Sequence, residues 1–495
     1  TLVNGGSSVY SKGSGAQYPL QDQQAPLYVV TKMESPDGLG GIEFTSYKYD
    51  GLKVHLQGIG SIGFDKMTTY NSSTRTKQHV EYGIDSTYYE RYPSVSKTFL
   101  LQGNTEIPLT ERSYICTTIP LQTERTFTVA SSETLHDIRT GSIVLTSSVY
   151  DPNNNGILTE KHTSINGNEH VTDEYYTPLT VNCGGWMLSK IASKTIVNKR
   201  IGEVAISRVT NFYYDDCSTG SLTKTISDTG SPYEAVSQIQ YNAFGLIENS
   251  TTSGSNVATI VNSFEYDNKG RYPIKSTNLN LNQSSVAIYD PRWGTPIWQK
   301  GIDGNVSEVF YDGFGKAVKT ISPDNSISES KMSWVANGEI SSNHPFNVNN
   351  NSLFKVSNTS TLSPASKTYF DLFGREILTV AESFNNLIYS AKSYDVRGNV
   401  VSSTGTYDDA MLAGNSDYNK ILMQNNYNDF NQLVESTASD GVVADIITTY
   451  SYEFPGNGVV ISKVISPDNK HSSMTKDASG MLISATDEGG TLNYT

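Results

Sequence analysis

The chain has 495 residues, with 36% hydrophobic and 17% charged residues, 40 glycines and 31 tyrosines. This composition disfavours long helices, favours strands and turns, and is too aromatic for a disordered chain. Because the formal net charge is −14, no nucleic acid is expected among the partners. The sequence contains no apolar run of about 18 residues, so it does not predict a membrane-spanning segment. Cys116, Cys183 and Cys217 are too few for a disulfide framework and lack the spacing of a zinc site.

The first region, residues 1–145, is predicted to be a succession of strands. It contains one motif of functional interest, the GxGxxG pattern of Gly58, Gly60 and Gly63. A dinucleotide site requires this motif to lead into a helix. The residues that follow, FDKMTTY at 64–70, are rich in threonine and aromatic residues and predict a strand instead. We therefore expect a tight β-turn here and no bound cofactor.

Other patterns imitate functional sites without their full set of residues. Asp228, Thr229 and Gly230 resemble an aspartic-protease phrase, but the second aspartate that such a dyad requires has no counterpart. Residues 151–156 begin like a calcium loop, yet His162 stands where that loop needs a glutamate. We therefore predict no metal, no cofactor and no enzymatic activity. Most of the histidines are expected on exposed strands and loops; they are His55, His79, His136, His162, His170, His344 and His471.

A short phrase recurs after residue 146: an aromatic residue, then Asp or Asn, then a glycine a few residues later. Neighbouring copies are mostly about 22–27 residues apart. The clearest copies are anchored by Tyr241 and Gly245; Tyr266, Asp267 and Gly270; Tyr289, Asp290 and Gly294; Tyr311, Asp312 and Gly315; Phe370, Asp371 and Gly374; and Tyr394, Asp395 and Gly398. Weaker copies begin at Tyr427, Tyr452 and Lys476.

The phrase has a physical interpretation as a hairpin turn. An Asp or Asn side chain accepts hydrogen bonds from backbone amides that follow it, and a glycine supplies the left-handed residue that closes the turn. A second turn signal follows each strand-like run, so every repeat is predicted to be one β-hairpin. The longer step between Tyr311 and Phe370 indicates an insertion near residues 335–365.

Consecutive hairpins form one long antiparallel sheet. Open sheets of more than about ten strands curl or split, and the low aliphatic content argues against a thick core on both faces. The predicted fold is therefore all-β, a long sheet of hairpins that coils into a hollow, cocoon-like shell. A β-propeller or a tandem of sandwiches is the alternative, although the period of about 40–45 residues that propeller blades require is not found.

These phrases resemble the YD repeats of RHS proteins. The first half resembles the middle region of the Tc toxin B-component and of SpvB-type proteins, in the segments APLYVV at 25–30, DGLGG at 37–41, SYKYDG at 46–51, GIGSIGF at 58–64 and WMLSK at 186–190. The resemblance divides the chain into a B-component-like region, residues 1–145, and a YD-repeat region, residues 146–495. The RHS core with its aspartyl self-cleavage signature is absent, so no catalytic residue is carried over.

The resemblance implies a non-enzymatic scaffold, part of a shell that encapsulates or presents a C-terminal toxin or effector. The alternative is a secreted or cell-surface RHS protein that acts in adhesion or secretion without cargo. Expected partners are proteins: other parts of the same large protein, toxin or secretion components, and a cell-surface receptor. The expected location is outside the cell, secreted or at the cell surface. The residues are also expected to be one section of a longer protein, whose terminal sheet edge pairs with further strands.

Overall fold

The computed structural model describes residues 9–121, 126–167, 169–179, 190–215, 219–255, 257–414, 422–439 and 445–494. Strands make up 62% of the structure and helices 3%, far from the balance of an ordinary globular domain. The all-β prediction is therefore confirmed. No helix among the described residues is long and apolar enough to cross a bilayer.

The strands, numbered in chain order, are β1 Tyr10–Ser11, β2 Leu20–Asp22, β3 Lys32–Pro36, β4 Ile42–His55, β5 Gly60–Asn71, β6 Thr76–Ile84, β7 Arg91–Gln102, β8 Thr105–Pro120, β9 Thr126–Asp137, β10 Ser142–Asp151, β11 Ile157–Ile165, β12 His170–Pro178, β13 Ile191–Arg200, β14 Ile206–Tyr214, β15 Leu222–Ser227, β16 Ala235–Tyr241, β17 Ile247–Gly254, β18 Val257–Tyr266, β19 Pro273–Asn278, β20 Gln283–Asp290, β21 Thr295–Lys300, β22 Val306–Tyr311, β23 Ala317–Ile321, β24 Ile327–Trp334, β25 Phe354–Ser360, β26 Ser366–Phe370, β27 Glu376–Glu382, β28 Leu387–Tyr394, β29 Val400–Thr404, β30 Tyr407–Asp408, β31 Leu422–Tyr427, β32 Leu433–Ser439, β33 Asp445–Gly456, β34 Val459–Ile465, β35 His471–Lys476, β36 Leu482–Asp487 and β37 Gly490–Asn493. The described residues also form two short α-helices, α1 Val348–Asn351 and α2 Asp409–Ala413, and 3-10 turns at Pro152–Asn154 and Pro345–Asn347.

All 37 strands belong to one sheet, in which nearly every strand pairs antiparallel with the next one in the chain. The first long strand, β4, has β5 on one side and three short strands on the other: β3 and β2 antiparallel, and β1 parallel. A small core of Tyr10, Tyr49 and Leu52 packs where these short strands cover β4. The sheet therefore begins at a covered edge.

The sheet continues without interruption across residue 145, which lies inside β10. From β4 to β9 the strands are 9 to 16 residues long, with the longest in β8, whereas those of the repeats are mostly five to ten residues. Strand length therefore changes near residue 145, where the sequence analysis divides the chain. That residue 145 is also a boundary between two domains stays a prediction.

The sheet encloses space rather than filling it. Thirty-seven strands at about 4.8 Å spacing extend over about 170 Å, too far for a flat sheet. The chain of 54.2 kDa exposes 28816 Å² of surface, whereas a compact monomer of this mass exposes about 18,000 Å². In β15, β32 and β34 every residue is half-buried, so the usual alternation of a buried and an exposed face is missing. The sheet is thus a wall with two partly solvated faces.

One thick core interrupts this thin wall. Residues 335–353, between β24 and β25, and the segment that carries β30 and α2 pack together on one face of β26 to β29. We call these two segments the inserts. The buried side chains are Ile340, Val348, Tyr369, Ile377, Leu378, Val380, Tyr389, Ala391, Tyr407 and Leu412.

Candidate functional site

The predicted repeat anchors form a regular series of turns, which we call the repeat turns. In the copy at Asp312, the carboxylate Oδ1 accepts backbone hydrogen bonds from Phe314 (2.9 Å) and Lys316 (3.0 Å). Asp371 accepts from Phe373 and Arg375 in the same way, both at 2.9 Å. Hydrogen bonds to the charged carboxylate lower the pKa of Asp312; the largest effect comes from the Lys316 amide and the next largest from the Phe314 amide.

Each repeat-turn glycine has the left-handed conformation that the sequence analysis predicts. The φ angles are 74° at Gly245, 64° at Gly270, 68° at Gly294, 80° at Gly315, 74° at Gly374 and 87° at Gly398. Asn431 takes the same place in a weaker copy, with φ of 65°. The strand pairing shifts by one residue at the aromatic anchor of these turns, as at Phe310/Tyr311 and Ser393/Tyr394, which is the mark of a β-bulge.

The anchor tyrosines connect one hairpin to the hairpin before it. The hydroxyl of Tyr266 donates to the carbonyl of Ile247 (2.9 Å), the first residue of β17. Equivalent bonds run from Tyr241 to Leu222 (2.7 Å), from Tyr311 to Pro296 (3.0 Å), from Tyr394 to Glu376 (2.8 Å) and from Tyr452 to Leu433 (3.1 Å). Phe370 has no hydroxyl and stacks on Phe354 instead, with ring centroids 5.0 Å apart.

Aromatic side chains also run from turn to turn along the edge of the sheet. A Cβ on Gly270 would lie 2.9 Å from the ring of Phe244, and one on Gly315 would lie 2.9 Å from the ring of Trp293. Glycine is therefore required at these two positions by both backbone conformation and close approach. A Cβ on Gly374 would meet open space, although its φ is equally positive.

The later repeat turns contact the turns of the first strands, which closes one circuit of the coil; we call this contact the seam. Arg75, in the turn between β5 and β6, pairs with Asp429, which is 354 residues further along the chain. Arg200, at the end of β13, pairs with Asp477. The amide of Gly458 donates to the carbonyl of Thr140 at 2.9 Å.

Arginines fill the middle of the seam. The guanidinium of Arg139 lies 4.6 Å from the ring centroid of Phe430 and 4.3 Å from that of Phe454. Arg397 donates to the backbone carbonyls of Ser73 (3.3 Å) and Asp429 (3.1 Å). Hydrogen bonds from Arg75 and then Gln102 lower the pKa of the Asp429 carboxyl. The seam thus combines ion pairs, cation–π contacts and backbone bonds between two rows of turns.

The seam sets the size of the coil. Because β30 pairs with β28 beside β29, and β29 pairs directly with β31, β30 adds no step along the sheet. Arg200 ends β13 and Asp477 opens the turn after β35, so one circuit there takes 35 − 13 − 1 = 21 strands. From Arg75, after β5, to Asp429, after β31, it takes 31 − 5 − 1 = 25 strands. At about 4.8 Å per strand this corresponds to a circumference of about 100–120 Å and a width of about 35 Å.

The inserts are held by a cluster of buried polar groups, which we call the polar knot. His344 is 7% exposed, and its Nδ1 lies 2.8 Å from the hydroxyl of Tyr407. The hydroxyl of Tyr389 donates to Asp409 at 2.7 Å, and its ring packs edge-on against His344. Burial lowers the pKa of His344 to about 4, against a weaker opposing effect of Asp409, so the ring is neutral at neutral pH.

A second part of the polar knot lies on β25 and β26. The hydroxyl of Tyr369 donates to Glu339 Oε1 at 3.0 Å, and Lys355 pairs with the same oxygen. Burial acts to raise the pKa of Glu339, but the bonds from Lys355, the Ala336 amide and Tyr369 together lower it. Burial raises the pKa of Tyr369 and Tyr389. These groups orient the inserts on the wall.

The sequence motifs that resemble catalytic or cofactor-binding sites do not form such a site together. Gly58, Gly60 and Gly63 all have positive φ, but only Gly58 lies in the turn before β5, whereas Gly60 begins β5 and Gly63 lies within it. The turn prediction therefore holds for Gly58, and the segment that follows the motif is a strand, as expected, rather than a helix. Asp228 lies in the turn between β15 and β16 and pairs with the exposed Arg208. Burial raises the pKa of the Cys116 thiol, which opposes thiolate formation. Among the described residues no three His, Cys, Asp or Glu side chains are grouped as metal ligands. Cys183, Cys217 and Trp186–Ser189 lie outside those residues.

The expectation that most histidines are exposed is wrong. His55 and His344 are buried, His79, His136, His162 and His170 are half-buried, and His471 is the exposed one. The physical reason is cross-strand pairing: His79 Nδ1 lies 2.8 Å from the hydroxyl of Thr68, and His162 Nδ1 lies 2.5 Å from Asp173. The sequence analysis missed His344 as part of the polar knot, since its partners lie on distant segments.

Comparison with solved structures identifies the class of fold. The chain is similar to the crystal structure of TcdB2-TccC3 without its hypervariable C-terminal region, with a TM-score of 0.63 and 9% identity over 90% of this chain. Crystal structures of TcdB2-TccC3 and TcdB2-TccC3-TEV give TM-scores of 0.64 and 0.61 at 9% identity over 92% and 90% of this chain. The chain spans 33–35% of the length of those chains.

The protein therefore has the coiled β-sheet fold of the TcdB2-TccC3 structures. No family model matches the sequence, and a search of curated proteins found no match. Membership of the RHS family, inferred from the repeat phrases, accordingly stays a prediction.

Proposed function

We propose that this chain forms part of the wall of a β-shell that encloses or presents a polypeptide cargo, a toxin or effector, without catalysing a reaction itself. The observation that carries the proposal is the large exposed area of a sheet that coils back onto itself at the seam. A wall of this kind acts sterically, because it separates what it surrounds from proteases and from the cell. Half-buried, largely polar faces suit this role, since they do not bind an enclosed chain tightly.

Two further points support the proposal. The fold is similar to that of TcdB2-TccC3, of which one crystal structure is described as lacking a hypervariable C-terminal region. The segments at 25–30, 37–41 and 58–64 resemble the Tc toxin B-component. We accordingly place the protein outside the cell, secreted or at the cell surface, with protein partners that include its cargo.

The proposal is tested by protease protection of the full-length protein as its native cells make it. We compare wild type with the seam variant Arg139→Gln/Arg200→Gln and with the control Arg112→Gln/Arg208→Gln, whose ion pairs lie away from the seam. A segment that does not belong to the sheet should resist digestion in wild type and control, and be cleaved at lower protease concentration in the seam variant. Absence of any protected segment would contradict enclosure and favour a surface protein without cargo.

The non-enzymatic part of the proposal has its own test. The purified chain should not turn over peptide, ester or glycan substrates, because its motifs supply no set of nucleophile, base and orienting group. Turnover that is lost on one point mutation of this chain would contradict it.

A further inference from the structure

A cavity of about 340 Å³ lies in the seam, between the turns of the first strands and those of the late repeats; we call it the seam cavity. Its walls include Arg139, in the turn between β9 and β10, and Arg397, in the turn between β28 and β29. Thr74 and Asn431 also line the cavity and are exposed, so solutes reach it from solvent. Its volume falls within the range of small-molecule sites, about 300–1,000 Å³.

The guanidinium of Arg139 has no counter-ion among the described residues. It contacts the rings of Phe430 and Phe454, and within the described part of the chain no group accepts a hydrogen bond from it. The Oδ1 atom of nearby Asp137 accepts from the backbone amides of Arg139 and Thr140, both at 3.0 Å. Burial lowers the pKa of Arg139, and Asp137 opposes this effect only in part, but an arginine stays protonated. An anion would stabilise this partly desolvated cation.

Arg397 brings a second guanidinium to the same cavity. Its Nε and Nη1 donate to the backbone carbonyls of Ser73 and Asp429, at 3.3 and 3.1 Å, and these bonds fix the plane of the group. Its Nη2 donates to none of the residues that the structure describes. Because Asp429 accepts from Arg397 and the next residue, Phe430, packs on Arg139, the two guanidiniums approach neighbouring residues of one turn.

The seam cavity carries positive charge, although the net charge of the chain is −14. The carboxylates that line it are those of Asp137 and Asp429, and Arg75 pairs with Asp429. With the guanidiniums of Arg139 and Arg397 the sum is 3 − 2 = +1. Since Arg75 already neutralises Asp429, the two lining arginines remain for a ligand.

The remaining walls indicate which kind of anion fits. Leu100, Leu109 and Phe430 form an apolar part, and Thr76 and Thr110 add hydroxyl groups. Small-molecule sites have this composition, a mainly apolar lining with a few polar groups that orient the ligand. A carboxylate offers two oxygens and a single charge, whereas a phosphomonoester offers three oxygens and a charge of about −1.5 to −2. Two guanidiniums and neighbouring hydroxyls therefore suit a phosphate that is attached to an apolar body.

We propose that the seam cavity binds a small phosphomonoester, with its phosphate between Arg139 and Arg397 and its apolar body against Leu109 and Phe430. The two arginines belong to turns on opposite sides of the seam, so the bound ligand fastens the seam. Closure of the coil then depends on the concentration of the ligand. The inference goes beyond the proposed function and holds whether or not the coil surrounds a cargo.

The test is isothermal titration of the full-length protein with phenyl phosphate, at constant ionic strength and in a buffer without phosphate. Inorganic phosphate, benzoate and phenol are the comparison ligands, which lack the apolar body, the phosphate or any charge. We expect one site per chain and an affinity for phenyl phosphate at least about tenfold above that for each of the three. A smaller difference for any of them, or no saturable binding, would overturn the proposal.

Two charge-conserving variants assign the site. Arg139→Lys keeps a cation beside the two aromatic rings but loses the planar set of donors, so it should bind phenyl phosphate at least about tenfold more weakly. Arg397→Lys should show the same loss, so the assignment does not depend on one variant. The control is Arg208→Lys, at an exposed ion pair away from the seam, which should bind as wild type does. Wild-type affinity in both cavity variants would refute the site.

Fastening of the seam is measured by hydrogen exchange of the Gly458 amide, which donates to the Thr140 carbonyl beside Arg139. At phenyl phosphate about ten times above its dissociation constant, this exchange should slow about tenfold, because the ligand binds only the closed seam. Unchanged exchange at that concentration would contradict the fastening. Protease protection of a cargo without phenyl phosphate binding would refute this inference alone, whereas binding without any protected segment would count against the proposed function alone.

Discussion

The guanidinium of Arg139 lies over the ring of Phe454 with its carbon 4.3 Å from the ring centroid, although Arg139 follows β9 and Phe454 belongs to β33. Phe430 packs on the same guanidinium. This contact, with the neighbouring bond from Gly458 to Thr140, converts a long strip of hairpins into a coil with a defined circumference. The seam is therefore the feature on which shape, and hence the proposed enclosure, depends.

The first prediction concerns this arginine. Arg139→Gln should lower the free energy of unfolding by about 1–2 kcal/mol, because two cation–π contacts in a partly desolvated site are lost. The Gly458 amide should also exchange faster with deuterium, since the seam opens more often. Arg208→Gln, which removes an exposed pair outside the seam, should change stability by less than about 0.5 kcal/mol. Equal effects of the two variants would contradict the role of Arg139.

The second prediction uses two glycines that share a backbone conformation but not their surroundings. Gly374→Ala should cost about 1 kcal/mol through its positive φ alone. Gly315→Ala should cost more, about 2–3 kcal/mol, because the new Cβ also displaces the ring of Trp293. Denaturant unfolding of both variants measures the difference. If the two costs were the same, the aromatic contacts between turns would have no energetic role.

The third prediction concerns the anchor tyrosines. Tyr266→Phe removes the hydrogen bond to the Ile247 carbonyl and should destabilise the protein by about 1 kcal/mol. Tyr233→Phe is the matched control, because Tyr233 is exposed at the turn before β16. Loss of stability in the control but not in the Tyr266 variant would show that the bond between hairpins is unimportant.

The fourth prediction is a pH dependence set by His344. Its folded-state pKa of about 4 lies below the unfolded value of about 6.5, so the unfolded chain binds more protons between these limits. The stabilisation by the neutral ring is complete above pH 6.5 and falls by up to about 3 kcal/mol as the pH drops to 4. Unfolding free energies measured across this range should decrease less steeply in His344→Asn, which keeps a polar group near Tyr407 without a titrating ring.

The control for this prediction is His471→Asn at the exposed start of β35. It should leave the pH dependence of wild type unchanged. An unaltered slope in the His344 variant would show that the polar knot does not carry the pH effect.

The sequence predicted the local structure of the repeats well, because each turn is determined by residues within it. Asp312 bonds to amides two and four residues away, and Gly315 closes the same turn. The same local rules predict the all-β class and the number of strands. Because an open sheet with so many strands must curl, they also predict that the sheet coils.

The seam and the polar knot could not be predicted in this way. Arg75 lies in a turn without any repeat phrase, and its partner is determined by how many strands complete a circuit, which depends on twist accumulated along the whole sheet. His344 meets Tyr407 only because two separate inserts fold onto the same face. Contacts of this kind depend on the three-dimensional path of the sheet rather than on local residues.

The central claim, that the first strands and the late repeats meet at a seam, is tested most directly by crosslinking across it. Cysteines are introduced in Thr140→Cys/Asn457→Cys, with Cys116, Cys183 and Cys217 replaced by serine, and joined by a short bismaleimide. The pair Thr140→Cys/Phe314→Cys serves as the control, because Phe314 lies on the uncovered part of the same edge. The account predicts a high yield of intramolecular crosslink for the first pair and little for the control. Equal yields for the two pairs would contradict it.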